Sequence, residues 1–135
     1  MKKILSLGLV LLTALALLAG CQGRLPEGVD KDRLETDAKA IVDAVNAGDY
    51  QTVHDMFGSE NNLPVEEWEA RLTTVAQQLG SFEEYKSTSY LTTDDKTHGE
   101  LVTMLLESQY ANGKVVWQVT FTTEYEILKL WVNNA

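Results

Sequence analysis

The chain is short of the residues that usually build reactive sites or covalent frameworks. It has one cysteine, Cys21, in 135 residues. No internal disulfide can form, so hydrophobic packing alone must hold the fold. Only two histidines occur, His54 and His98. No His/Cys/Asp spacing matches a metal site and no calcium loop appears, so no metal is expected. A phosphate loop, a dinucleotide glycine pattern and a serine elbow are all missing, so no cofactor is expected either. Positive charge is scarce: 11 Lys and Arg stand against 20 Asp and Glu, for a net charge of −9. Nucleic-acid binding needs a basic face, and this composition argues against it.

What the chain does have comes first at its N-terminus. Lys2 and Lys3 are basic, Ile4 to Leu17 is almost wholly apolar, and Leu18-Ala19-Gly20-Cys21 follows. A basic start, a short apolar stretch and small residues at the cut make a secretory signal, residues 1–20. At about 17 residues the stretch lies at the lower edge of a membrane span, and no basic cluster follows it. Ala19-Gly20 directly before Cys21 resembles the lipobox of bacterial lipoproteins. That resemblance implies a diacylglyceryl group on the Cys21 thiol, with acyl chains such as palmitate, and the cysteine as the new N-terminus. Two acyl chains at one residue suffice for stable anchoring. The membrane, met through this lipid, is therefore an expected partner, on the outer face of the cytoplasmic membrane. Loss of Lys2 and Lys3 takes two positive charges from −9 and leaves −11 on the mature part. Residues 21–29 read as the lipidated cysteine and a short tether, with Leu25-Pro26-Glu27-Gly28 breaking regular structure. Residues 30–135 read as a single domain.

Within that domain the hydrophobic period is helical first and strand-like afterwards. Asp30 caps a helix over about Lys31–Ala47, with Leu34, Ala38, Ile41 and Val45 on one face. Gly48 stops it, and Asp49 caps a short second helix that turns Tyr50, Val53 and Phe57 inward. Pro64 suits the first turn of a third helix, whose buried stripe is Val65, Trp68, Leu72, Val75 and Leu79. After Gly80 the period becomes two. Strands are expected over about Phe82–Leu91, Gly99–Tyr110, Lys114–Thr123 and Glu126–Val132. Asn112-Gly113 forms a tight hairpin, and Asp94-Asp95-Lys96 forms a turn. Three N-terminal helices ahead of four hairpin-linked strands specify an α+β fold with an antiparallel sheet.

The second expected strand is apolar on both faces. Val102, Met104 and Leu106 take one side; Leu101 and Leu105 take the other, with Thr103 between them. A sheet covered by helices on one face is normally polar on the other. Leu101, Thr103 and Leu105 are therefore either a face covered by neighbouring side chains or the surface of a homodimer.

Ala44-Val45-Asn46-Ala47-Gly48-Asp49-Tyr50, Leu79-Gly80-Ser81-Phe82, and the strands around Asn112-Gly113 and Val119-Thr120-Phe121 resemble the nuclear transport factor 2-like group. The mature chain is more narrowly similar to an uncharacterised domain family of extracytoplasmic proteins in Gram-positive bacteria. The resemblance implies helices packed into the concave side of a curved four-stranded antiparallel sheet, a cone. It implies a compartment but no agreed activity. It also leads one to expect a glycine near the end of the last strand, where this chain runs Leu128-Lys129-Leu130-Trp131 and on to Ala135.

Candidate chemistry is thin. His54 and Asp55 diverge by about 100° on a helix and do not share a target easily. Asp49 is explained as a cap, Tyr50 as core, Asp94-Asp95 by a turn, and Glu66-Glu67 by the helix dipole. The more open prospect is a pocket between helices and sheet, lined by Trp68, Tyr85, Met104, Trp117 and Phe121. Outward Gln118, Thr120 and Thr122 offer a neutral hydrogen-bonding ladder. The expected function is a lipid-anchored binding or interaction module for a small ligand or an envelope protein. The alternatives are a small enzyme using a pocket Asp, His or Tyr for proton transfer, and a structural dimer.

Overall fold

The computed structural model describes residues 24–135. The expected signal, Cys21 and the start of the tether lie outside the described residues. Three helices, α1 (Lys31–Asn46), α2 (Tyr50–Met56) and α3 (Val65–Leu79), precede four strands. These are β1 (Phe82–Asp95), β2 (Gly99–Tyr110), β3 (Gly113–Thr122) and β4 (Ile127–Asn134). The strands form one antiparallel sheet in the order β1-β2-β3-β4, with β1 and β4 at the edges. The fold is α+β, as the change of period dictates.

Capping sets the helix starts. The Asp30 carboxylate accepts the Asp32 N–H at 2.9 Å. The Asp49 carboxylate accepts the Thr52 N–H at 3.2 Å and the Thr52 hydroxyl at 2.6 Å. These bonds hold the Asp49 carboxyl below its ordinary pKa. Helix α1 is the centre of the core: Leu34, Ala38, Ile41 and Val42 are fully buried against Val102, Met104, Leu106, Val119 and Phe121 of the sheet. Each large side chain buried this way contributes about 1.5–3 kcal/mol. The ion pairs on the same helix, Arg33–Asp37 and the half-buried Lys39–Glu35, are i,i+4 pairs that contribute about 0.3–0.5 kcal/mol each. Packing therefore decides where α1 lies.

The end of α3 is held by a distant turn. Asn112 N–H donates to the Leu79 carbonyl at 3.0 Å, and Asn112 Nδ2 donates to the Gln78 carbonyl at 3.0 Å. The Asn112-Gly113 hairpin thus also caps a helix, which places α3 over the β2–β3 end of the sheet. Gly80 makes the reversal at φ +76, where a Cβ would sit 3.1 Å from Asn112 Nδ2.

Three segments differ from the sequence expectation. β1 continues to Asp95 rather than ending near Leu91, because the Asp95 carboxylate accepts the N–H groups of Thr97 and His98 and tightens the hairpin. β4 reaches Asn134, with Ala135 N–H donating to the Lys114 carbonyl at 3.1 Å. The expected linker is packed rather than free: Pro26 is buried, Leu25 and Val29 pack on the core, and the Thr92 hydroxyl donates to the Arg24 carbonyl. Tyr125, in the β3–β4 turn, fixes the same segment by accepting the Asp30 N–H at 2.9 Å, with Arg33 3.8 Å from its ring centre.

Candidate functional site

Helix α3 does not close fully onto the β4 edge of the sheet. Between them lies a groove of about 580 Å³. Trp68, Leu72 and Val75 form the helix wall, and Trp117, Leu130 and Val132 line the sheet side. Phe57, Asn61 and Leu63 close one end.

Local sequence explains why each side chain is there. Trp68, Leu72 and Val75 step by four and three along α3, so they share one face. Trp117, Val132 and Leu130 lie on the helix-facing side of the sheet, because Trp117 pairs with Val132 and Val119 with Leu130. The register shift between Thr120 and Phe121 inserts an extra residue into β4, so Ile127 and Leu128 are both buried before alternation resumes. That bulge turns Leu130 and Val132 toward the helices and Trp131 away from them.

Both groove tryptophans have their polar atoms satisfied away from the cavity. Trp68 Nε1 donates to Asn62 Oδ1 at 3.0 Å, and its ring packs on Phe57 at 4.9 Å between centres. Asn62 is itself held, accepting the Leu63 N–H at 2.8 Å and donating to the His54 carbonyl at 3.0 Å. Trp117, only 1% exposed, donates to the Tyr110 hydroxyl at 2.9 Å, which donates to Asn46 Oδ1 at 2.6 Å. Burial raises the Tyr110 pKa above its ordinary value, so the phenol stays neutral and keeps its proton for Asn46. Asn46 Nδ2 is a buried donor without a partner among the described residues, beside a second cavity of about 70 Å³ that shares Val75 and Trp117 with the groove. The groove surface is thus largely apolar. Its charged lining residues are Arg71 and Lys129, both cationic.

Of the five residues expected to line a pocket, Trp68 and Trp117 face this groove. Met104 and Phe121 are fully buried under α1, at the centre of the sheet. Tyr85 lies across the molecule on β1, where its hydroxyl bonds Asp43 at 2.6 Å and the Lys39 carbonyl at 3.2 Å. Burial, reinforced by Asp43, pushes that phenol far above its ordinary pKa. Leu130, Val132 and Asn62 were not expected; the bulge hides the first two, and the third carries no pattern of its own.

The outer sheet face holds Leu101, Thr103 and Leu105, all half-buried. Register sets Thr103 beside Thr120 and Leu91, and Leu105 beside Gln118, which in turn pairs with Trp131. Leu91 is 43% exposed and Trp131 58%. Thr120 and Thr122 do not form an open ladder. Both are buried; Thr120 shares a 2.8 Å bond with Thr103, and the Thr122 hydroxyl accepts the N–H groups of Glu124 and Glu126.

The histidines lie elsewhere. His54 Nδ1 bonds the Leu63 carbonyl at 2.8 Å. His98 bridges Asp95 at 2.6 Å and Glu60 at 2.7 Å, tying the β1–β2 hairpin to the loop before α3. Among the described residues no cluster of His, Cys, Asp and Glu could hold a metal ion, and no helix is long and apolar enough to cross a membrane.

Comparison with known proteins bears on the fold. A protein from Ruminococcus gnavus ATCC 29149, solved by NMR, superposes with a TM-score of 0.65 at 20% identity, over 80% of this chain and 95% of that one. At that identity the likeness shows a shared fold alone. No curated protein matches the chain. A family model described as "Protein of unknown function (DUF3887)" matches residues 38–130, from the middle of α1 to β4. The chain belongs to the DUF3887 family.

Proposed function

We propose that this protein is a lipid-anchored, extracytoplasmic binding module whose site is the groove between α3 and β4. The observation that carries the reading is the groove itself: a largely apolar trough, walled by two tryptophans whose N–H groups are already bonded elsewhere. Concave apolar surface with a few polar groups at its rim is the usual form of a ligand site. Among the described residues no carboxylate, imidazole or phenol lines it, so binding is favoured over acid–base catalysis there. The anchor rests on the sequence at Cys21, and the acidic composition disfavours nucleic acid as a partner. Helices on one face of a sheet whose edge strands carry register shifts support the nuclear transport factor 2-like cone, since bulges bend strands.

Two experiments test this. Anilinonaphthalene sulfonate should brighten on the folded protein, and Val132→Glu, at the groove rim, should abolish the signal while the melting curve stays cooperative. Dye binding indifferent to Val132→Glu sinks the groove as the site. Growth with radiolabelled palmitate should label the wild type but not Cys21→Ala; label on the variant refutes the anchor.

A second reading is carried by the outer face, where Trp131 and Leu91 stay exposed beside Leu101, Thr103 and Leu105. This face would pair two copies. Sedimentation should then show a dimer that Leu105→Glu converts to monomer; a wild type that is monomeric at high concentration excludes it.

A further inference from the structure

The backbone of β4 narrows the chemistry of what the groove holds. Antiparallel partners alternate between pairs that exchange hydrogen bonds and pairs that do not. Ala135 N–H donates to the Lys114 carbonyl directly opposite. Counting back along the register, Asn133, Trp131 and Lys129 bond to β3, while Val132 and Leu130 occupy the non-bonded positions opposite Trp117 and Val119. The N–H and C=O groups of Leu130 and Val132 therefore point outward along the free edge. Their side chains line the groove.

The chain already covers the earlier part of this edge with itself. Phe57 bridges Ile127 in parallel, Gly58 N–H donates to the Ile127 carbonyl at 2.9 Å, and Asn61 Nδ2 donates to the Leu128 carbonyl at 3.3 Å. That cover ends at Asn61. From Leu130 onward the outward backbone groups have no partner among the described residues, and the groove opens beside them.

We propose that an extended segment of a partner protein adds to β4 as a further strand, setting alternate apolar side chains into the groove and acidic groups at its rim. This rests on the groove being the binding site. Backbone pairing at a sheet edge with pockets for alternate side chains is an established mode of peptide recognition. Charge selects the partner. The body is strongly acidic, yet the charged residues lining the groove are Arg71 and Lys129. Arg71 meets only an exposed Glu67 at 3.9 Å, a weak pair, and Lys129 makes no ion pair among the described residues. Arg71, on the groove side, is free to meet a carboxylate, whereas the Lys129 side chain leaves β4 on the same outer side as Trp131. The β4 strand of a second copy, Ile127–Asn134, carries Lys129 and no acidic residue, so it offers Arg71 no carboxylate and a different, acidic chain is the better occupant.

The test uses the full chain in detergent and a fluorescein-labelled peptide, Glu-Thr-Val-Thr-Val-Thr-Glu, whose glutamates share the valine face, read by anisotropy. N-methylation of alternate backbone amides of the peptide should weaken binding about tenfold, the loss expected for backbone hydrogen bonds. Lysine in place of both glutamates, or Arg71→Glu in the protein, should weaken it comparably. Val132→Pro should do the same while keeping the native circular dichroism, since the Val132 N–H makes no bond to β3. Should that variant misfold, the methylated peptide still decides, because it leaves the protein untouched. Equal binding of methylated and unmethylated peptide overturns edge pairing. If the peptide fails while anilinonaphthalene sulfonate binds and Val132→Glu blocks it, the peptide is the wrong occupant and the groove stands. If neither binds, the groove reading itself falls. A dimer in sedimentation that Val132→Pro dissolves would make a second copy the occupant and overturn the proposal.

Discussion

Replacing Tyr110 with phenylalanine removes one oxygen and leaves two groups without partners. The Trp117 N–H, 1% exposed, loses its acceptor, and Asn46 Oδ1 loses its donor. A buried polar group left unsatisfied costs about 1–3 kcal/mol. Trp117 should bear most of that, because it is the more deeply buried of the two. Asn46 is half-buried and its Nδ2 already lacks a partner among the described residues, so its share lies at the low end. Together the loss is about 2–4 kcal/mol, a large part of the roughly 5–15 kcal/mol that holds a small domain. For a chain of this size each kcal/mol shifts Tm by about 4 °C. Urea unfolding followed by tryptophan fluorescence and circular dichroism should show a lower midpoint with an unchanged slope. The double variant Tyr110→Phe/Trp117→Phe removes donor and acceptor together. Its cost should fall short of the sum of the single costs by at least about 1 kcal/mol, within the range of coupled neighbours. A Tyr110→Phe loss below about 0.5 kcal/mol, or strict additivity, would show that the relay does not hold the groove wall.

Three further outcomes follow from the geometry. Gly80→Ala should destabilise by more than about 1 kcal/mol, because φ is +76 and the new Cβ meets Asn112 and Ala111; Gly48→Ala, also at positive φ but with open space around it, should cost less, as paired thermal melts will read. His98 has its pKa raised above 6.5 by Glu60 and then Asp95, so the bridge stabilises fully below that value and is lost as pH rises through the folded one. The melting difference between wild type and His98→Gln should therefore be larger at about pH 6 than at about pH 9, and a difference that grows with pH refutes the bridge. Asn62→Ala removes the acceptor of Trp68 Nε1 and should cost about 1–3 kcal/mol with a shift in tryptophan emission; an unchanged spectrum would mean Trp68 is positioned by packing alone.

The fold was legible wherever one face of an element is buried and the other wet. Leu34, Ala38, Ile41 and Val45 repeat at helical spacing, and Val115, Trp117, Val119 and Phe121 alternate, so pattern and burial agree. The groove was legible by halves. Trp68 and Trp117 declare themselves through those same patterns. The β4 wall does not, because strict alternation from Ile127 would send Lys129 and Trp131 inward and Leu130 outward. A single bulge reverses that assignment, and bulges leave no fixed mark in composition. Tyr85 misleads for a different reason. Its period is that of an inward residue, but it sits on β1, and only the strand order reveals that β1 and the groove are at opposite edges. The Asn112 contacts with Gln78 and Leu79 were equally hidden, since a turn residue that caps a remote helix looks in sequence like a turn residue alone.

Strand order also constrains how the proposed anchor and the proposed site work together. The segment leading into α1 is fixed to β1 through Thr92 and to the β3–β4 turn through Tyr125. On the lipoprotein reading the lipid sits three residues before Arg24, a chain length of about 10 Å at full extension. The domain then has little freedom to roll. The groove lies at the β4 edge, three strand spacings or about 14 Å from β1. An acidic body held this close to anionic head groups is repelled by them, which disfavours lying flat. On that reading, a lipid near the β1 side and repulsion over the rest would leave β4 and its groove turned to the aqueous side. An edge presented there meets polypeptide rather than lipid. Lengthening the tether by a flexible insert after Gly23 should therefore leave peptide affinity on vesicles unchanged, whereas a site that worked against the bilayer would lose binding as the domain moved away.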